Sequence, residues 1–162
     1  MSFKGLFTAI KYGTNLRFFK NSTEAEKELF NYRDDRLTDF KNSLNQNTDL
    51  SFDMNFSPES LKTIERLYFW LFEHSEFERR GINRETFEIG MGIYFGEVII
   101  RNNYSARWIV DKYPFNQNKY QLGIELGLGK FMIVHKCKDL CFREGNKRKQ
   151  LLYRDYKKYF SR

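Results

Sequence analysis

The sequence predicts an α+β domain, with N-terminal helices packed on a small antiparallel sheet of about three strands and a basic C-terminal helix. Three observations predict it. Apolar residues recur at helical period through residues 1–103, short β-branched and aromatic runs fill 104–136, and helical period returns with strong positive charge over 137–162. The whole chain of 162 residues reads as one domain, long enough to bury a core without staples.

Phe3, Leu6, Phe7 and Ile10 share one helical face, a short amphipathic piece expected to pack onto the domain, with a membrane-surface role as the alternative. In "STEAEKELFNYRDDRLTDFKNSLNQ", Ser22 or Thr23 has capping-box spacing, and Leu29, Leu37, Phe40 and Leu44 mark one buried stripe. A second helix opens at "SPES", with Ser57 as cap and Pro58 at the first helical position. Its stripe is Leu61, Ile64, Leu67/Tyr68 and Leu71/Phe72, and Gly81 is its expected stop. The third starts near Asn83 and is apolar on nearly every face from Phe87 to Ile100, as in a surrounded helix. "ARWIVDKY", "KYQLGIEL" and "KFMIVHK" then read as strands, the last two joined by the turn "GLG". The C-terminal helix is expected to dock through Leu152, Tyr156 and Tyr159/Phe160.

Composition narrows the function classes. With 18% aromatic residues and only 2 prolines, the chain is ordered rather than low-complexity. It has no apolar run long enough to span a membrane, no signal-peptide pattern and only 2 cysteines, which reads as a reduced cytoplasmic protein. The net charge of +7 is local. From Lys136 onward ten Lys and Arg face three acids, so the whole excess lies in the last part of the chain. A uniformly basic, nucleic-acid-coating protein is therefore not indicated.

Enzymatic motifs fail one by one. "GIELGLGKF" lacks the first glycine and the terminal hydroxyl of a phosphate loop, and reads as a hairpin turn. His135, Cys137 and Cys141 are too few for a closed zinc site. Neither of the 2 histidines sits in a recognisable nucleophilic arrangement. No catalytic residue, metal or cofactor is assigned.

Two features remain. Glu97 lies in the apolar stretch "GIYFGEVIIRNNYSARW", where an ionised carboxylate needs a partner. Arg101 at i+4 and Arg107 on the next strand are the expected partners of a structural ion pair, with partner contact or catalysis around these residues as alternatives. Gly92 and Gly96, on one face, would admit another element closely. The second feature is the tail, where Lys147, Arg148, Lys149, Arg154, Lys157 and Lys158 stand among tyrosines, a mixture suited to phosphates and bases. The competing reading is a docked helix with a solvated lysine face.

"SPESLKTIERLYFWLFE", followed by "GIYFGEVIIRN" and "RW", resembles a loosely defined group of uncharacterised bacterial domains. Gly92, Tyr94, Gly96, Glu97 and Trp108 carry that resemblance most specifically, within roughly residues 50–125. Those domains are similar, in size and in lacking catalytic residues, to immunity-type proteins that neutralise bacterial toxins. The resemblance implies a non-catalytic protein-interaction module of the immunity or antitoxin kind, with a protein partner. Tyr104, Trp108 and Tyr113 are the candidate partner-binding anchors, since tyrosine and tryptophan often dominate such contacts. The alternative is an RNA- or DNA-associated protein acting through the basic tail.

Overall fold

The computed structural model describes residues 16–143 and 149–161. The amphipathic Phe3–Ile10 segment lies outside them. Helix α1 (Ser22–Gln46) is capped by Asn21, one residue before the expected Ser22 or two before Thr23, because Asn21 Oδ1 accepts the Glu24 amide at 2.9 Å. Glu24 in turn accepts the Lys20 amide at 2.7 Å, one residue before the cap, and so ties the entering chain to the first turn. The expected stripe is largely in place, with Leu29, Phe40 and Leu44 buried.

Helix α2 (Ser60–Glu73) starts two residues after Pro58, the expected first position, because residues 57–61 first make a tight turn; Ser57 Oγ still accepts the Ser60 amide at 3.2 Å. The helix does not run on to Gly81. Ser75 adopts φ 53 and turns the chain into the short helix α3 (Glu76–Arg79), which carries Phe77 into the core before Gly81 ends it at φ 65. Helix α4 (Arg84–Asn102) is capped by Asn83, whose side chain accepts the Thr86 amide at 2.9 Å. It is the surrounded helix that its sequence predicts, buried on most faces from Phe87 to Ile99.

Strands β1 (Arg107–Tyr113), β2 (Asn116–Leu126) and β3 (Gly129–Phe131) form an antiparallel sheet in the order β1-β2-β3. The row Trp108–Ile124–Phe131 faces the helices. The opposite face carries the ion pairs Arg107–Glu125 and Lys130–Asp111. The turn at Gly127, φ 60, is the glycine-bearing hairpin read from "GLG".

"KFMIVHK" departs from expectation, because the strand ends at Phe131. The chain then leaves the sheet to cross α4, where the Val134 and Ile133 carbonyls press on Gly92 and both side chains are buried. A methyl group at Gly92 would strike the Val134 carbonyl and sit 2.8 Å from that of Ile133. Backbone yields little, so Gly92→Ala is expected to lower stability by about 1–3 kcal/mol, read from the urea midpoint.

The C-terminal helix is also shorter than 137–162. A 3-10 turn at Leu140–Phe142 precedes α5 (Leu151–Tyr159), because residues 137–141 are held against α2 and α4 by side-chain bonds described below. Leu152, Tyr156 and Phe160 are buried, the docking face that the sequence predicts.

Candidate functional site

Glu97 is engaged on two sides. Its Oε1 accepts the Trp108 indole N–H at 2.8 Å, and its Oε2 faces Arg101 Nε at 3.3 Å. Gly96 makes this possible, since any Cβ there would collide with the Trp108 ring lying on the helix. Arg107 does not join the pair. Successive strand residues point to opposite faces, so with Trp108 aimed at α4, Arg107 turns outward and bonds Glu125 at 2.6 Å. That alternation was readable in the sequence. Glu97→Gln retains an acceptor for the indole and loses only the exposed arginine contact. A loss of at most about 1 kcal/mol is expected, with unchanged Trp108 emission. Glu97→Ala should shift that emission.

The three candidate anchors diverge. Tyr104 stands clear of the molecule at 103% relative exposure. Trp108 is half-buried and committed to Glu97, with the Arg33 guanidinium 5.5 Å from its ring. Tyr113 is not an exposed anchor: it is 6% exposed, packed edge-on against Phe115 at 5.5 Å. A residue unmarked by the sequence joins Tyr104. Leu128, in the β2–β3 turn, is 107% exposed. The register Arg107↔Glu125 places the entry to β1 and the end of β2 side by side, so Tyr104 and Leu128 occupy the same end of the sheet.

Three buried carboxylates escaped the sequence reading: Glu65, Glu76 and Glu88. Glu88, on α4, accepts the Tyr68 hydroxyl at 2.6 Å, Arg84 Nη1 at 2.8 Å and the Asp139 amide at 3.0 Å. Burial and this carboxylate hold the Tyr68 phenol well above its ordinary pKa. Tyr68 also accepts the Cys141 amide at 3.0 Å, which fixes the 3-10 turn. Glu76 binds Arg79 and Arg80, and Arg80 continues to Asp49 at 2.7 Å. Glu65 accepts the Leu151 and Leu152 amides at 3.0 Å each and so caps α5 from α2. Glu65 and Glu88 occupy the buried stripes of their helices, and that position is the one local signal that could have found them.

Cys137 is fully buried, and its thiol is pushed up to about 12 by desolvation, which makes it a poor nucleophile. Among the described residues no group of three or more His, Cys, Asp or Glu is placed to hold a metal ion. No helix there is long and apolar enough to cross a membrane.

Of the basic tail, Lys149, Arg154, Lys157 and Lys158 are exposed, whereas Lys147 and Arg148 lie outside the described residues. A groove of about 540 Å³ runs beside the start of α5, lined by Lys62, Arg66, Trp70, Glu73 and Lys149 among others.

These features define an α+β domain in which α1 and α4 pack on one face of a three-stranded antiparallel sheet and the buried acids tie the helices and the C-terminal segments together. Residues 18–160 match the model of the family described as "Uncharacterised protein YwmA", and the chain belongs to that family. It is 26% identical over 133 residues to "Uncharacterized protein YwmA" of Bacillus subtilis (strain 168), covering 82% of this chain and 83% of that relative. No solved structure matches the chain.

Proposed function

We propose that the protein acts by binding rather than by catalysis, as an interaction module of the immunity or antitoxin kind that occludes a protein partner. One observation carries this reading: Tyr104 and Leu128, each fully exposed, lie in loops at the same end of an otherwise ordered sheet. Tyrosine is among the residues that most often anchor protein interfaces, and large apolar side chains left in water gain by being buried against a partner. The buried carboxylates, by contrast, are occupied by internal donors and offer no poised acid or base.

The test places a photo-crosslinking amino acid at position 104, with a control at Lys27 on the exposed face of α1. A discrete protein adduct formed in cells at 104, absent at 27 and lost with Leu128→Ser, is the expected result. Equal or absent adducts at both positions would overturn the reading.

The alternative, an RNA- or DNA-associated protein, draws on Arg154, Lys157 and Lys158, which α5 leaves exposed while it docks. Binding of this kind would weaken steeply with salt. A salt-independent response, or none, would remove it.

A further inference from the structure

We propose that the chain self-associates through the open edge of β1, two copies pairing antiparallel about Ile109 so that their sheets become one. The two edges of the sheet differ. β3 is only three residues long, whereas β1 runs for seven, Arg107–Tyr113, with no proline inside it. Among the described residues no strand lies beyond β1. A long unpaired edge is a template for another extended chain.

The direction of its amides can be read. Lys112 N–H is taken at 3.0 Å by the Asp111 side chain, so it points away from β2. Amides along an antiparallel strand alternate in direction, which aims the backbone groups of Trp108 and Val110 at the open edge as well. Those groups are left to water and point where an added strand would bond them.

Charge selects a second copy as the occupant. On the outer face, Lys130, Glu125 and Arg107 form one row across β3, β2 and β1, alternating plus, minus, plus. Pairing about Ile109 sets the second copy's Asp111 opposite Arg107 and continues the alternation. The two-fold axis repeats that contact on the other side. The same register brings the two half-buried Ile109 side chains together at the axis. It also opposes Trp108 to the second copy's Val110, so that their outward backbone groups exchange bonds.

Competing registers do worse. A slip of one residue would oppose inward-facing and outward-facing amides. Pairing about Val110 would set Ile109 against Asp111 and Trp108 against Lys112, and would require the Lys112 amide to abandon its side-chain acceptor. Opposite charges directly across a pair stabilise it, and like charges destabilise it by a comparable amount.

The test is sedimentation equilibrium of the full chain at micromolar to submillimolar concentration. The wild type is expected at twice the 19.7 kDa chain mass. Arg107→Glu and Asp111→Arg should each sediment as folded monomers, because each places like charges across the axis twice. Mixing these two variants should restore dimers, since both cross-axis pairs are then opposite in sign. Ile109→Lys, which changes neither charged residue, should also be monomeric with an unchanged circular-dichroism spectrum. A monomeric wild type overturns the proposal and leaves the edge to an extended segment of another protein. Charge variants that still dimerise alone, or that fail to dimerise when mixed while remaining folded, overturn it as well.

Discussion

Glu88→Ala is expected to remove a large share of the protein's stability, about 3–5 kcal/mol, seen as a lowered urea midpoint at constant slope. Glu88 is 2% exposed and joins three parts of the chain: Arg84 one turn earlier on α4, Tyr68 on α2, and the Asp139 amide that enters the 3-10 turn. Truncation leaves the buried Tyr68 phenol without its acceptor and the part-buried Asp139 amide without its partner. The orphaned buried phenol costs about 1–3 kcal/mol, and the loss of the ion pair with Arg84 and of the acceptor that holds the 3-10 turn adds the rest. Arg84 is 24% exposed and can turn to water, which moderates the charge penalty toward the lower end. A domain of this kind has about 5–15 kcal/mol in total, so the loss brings the variant toward the threshold of folding. Glu88→Gln should cost less, since its oxygen still serves Tyr68 and Arg84, although its amide nitrogen then faces the Asp139 N–H. A double variant with Arg84→Ala should fall short of the sum of the single losses, because both act on one network. A change below about 1 kcal/mol in Glu88→Ala would show that the network does not hold the fold.

The same network shows why some of this structure could be read in the sequence and some could not. Starts of helices are local events. Ser57 and Asn83 announce α2 and α4 because a cap and its recipient amide lie three residues apart. Gly92 and Gly96 were readable as a close approach, but not what would approach them. The crossing of Val134 over Gly92 cuts β3 short, and that contact joins residues distant in sequence. Tyr113 has the sequence neighbourhood of an exposed hairpin residue, yet it folds against Phe115 and is buried. Sequence proximity alone offers Arg107 to Glu97, and strand alternation sends it to Glu125. Glu65 and Glu88 were invisible for a further reason. Their amide donors lie 86 and 51 positions away, and a glutamate inside an apolar stripe otherwise reads as its solvated border.

Glu65→Ala should detach the C-terminal helix. Its carboxylate accepts the first two amides of α5, groups that a helix cannot satisfy for itself, and the acid also complements the positive end of the helix dipole. Gln150, immediately before α5, supplies no side-chain cap, so this cap comes from α2. Losing both acceptors in a buried setting is expected to cost about 2–4 kcal/mol. Hydrogen exchange in residues 152–160 should rise well before global unfolding, because Leu152, Tyr156 and Phe160 hold the helix only once it is formed. Glu65→Gln retains one acceptor oxygen and should cost less. Burial raises the Glu65 carboxyl above its ordinary value, against the two amides that lower it. A raised native pKa means that the folded protein binds the proton more tightly than the unfolded chain. The stability gained from that proton is present below the unfolded value, near pH 4, and is lost as pH rises through the native one. On acidification from neutrality the wild type should therefore gain relative to Glu65→Gln, widening the gap between them. A gap that stays constant would mean that the carboxyl titrates alike in both states. Exchange in α5 that is unchanged in Glu65→Ala would show that apolar docking alone holds the helix in place.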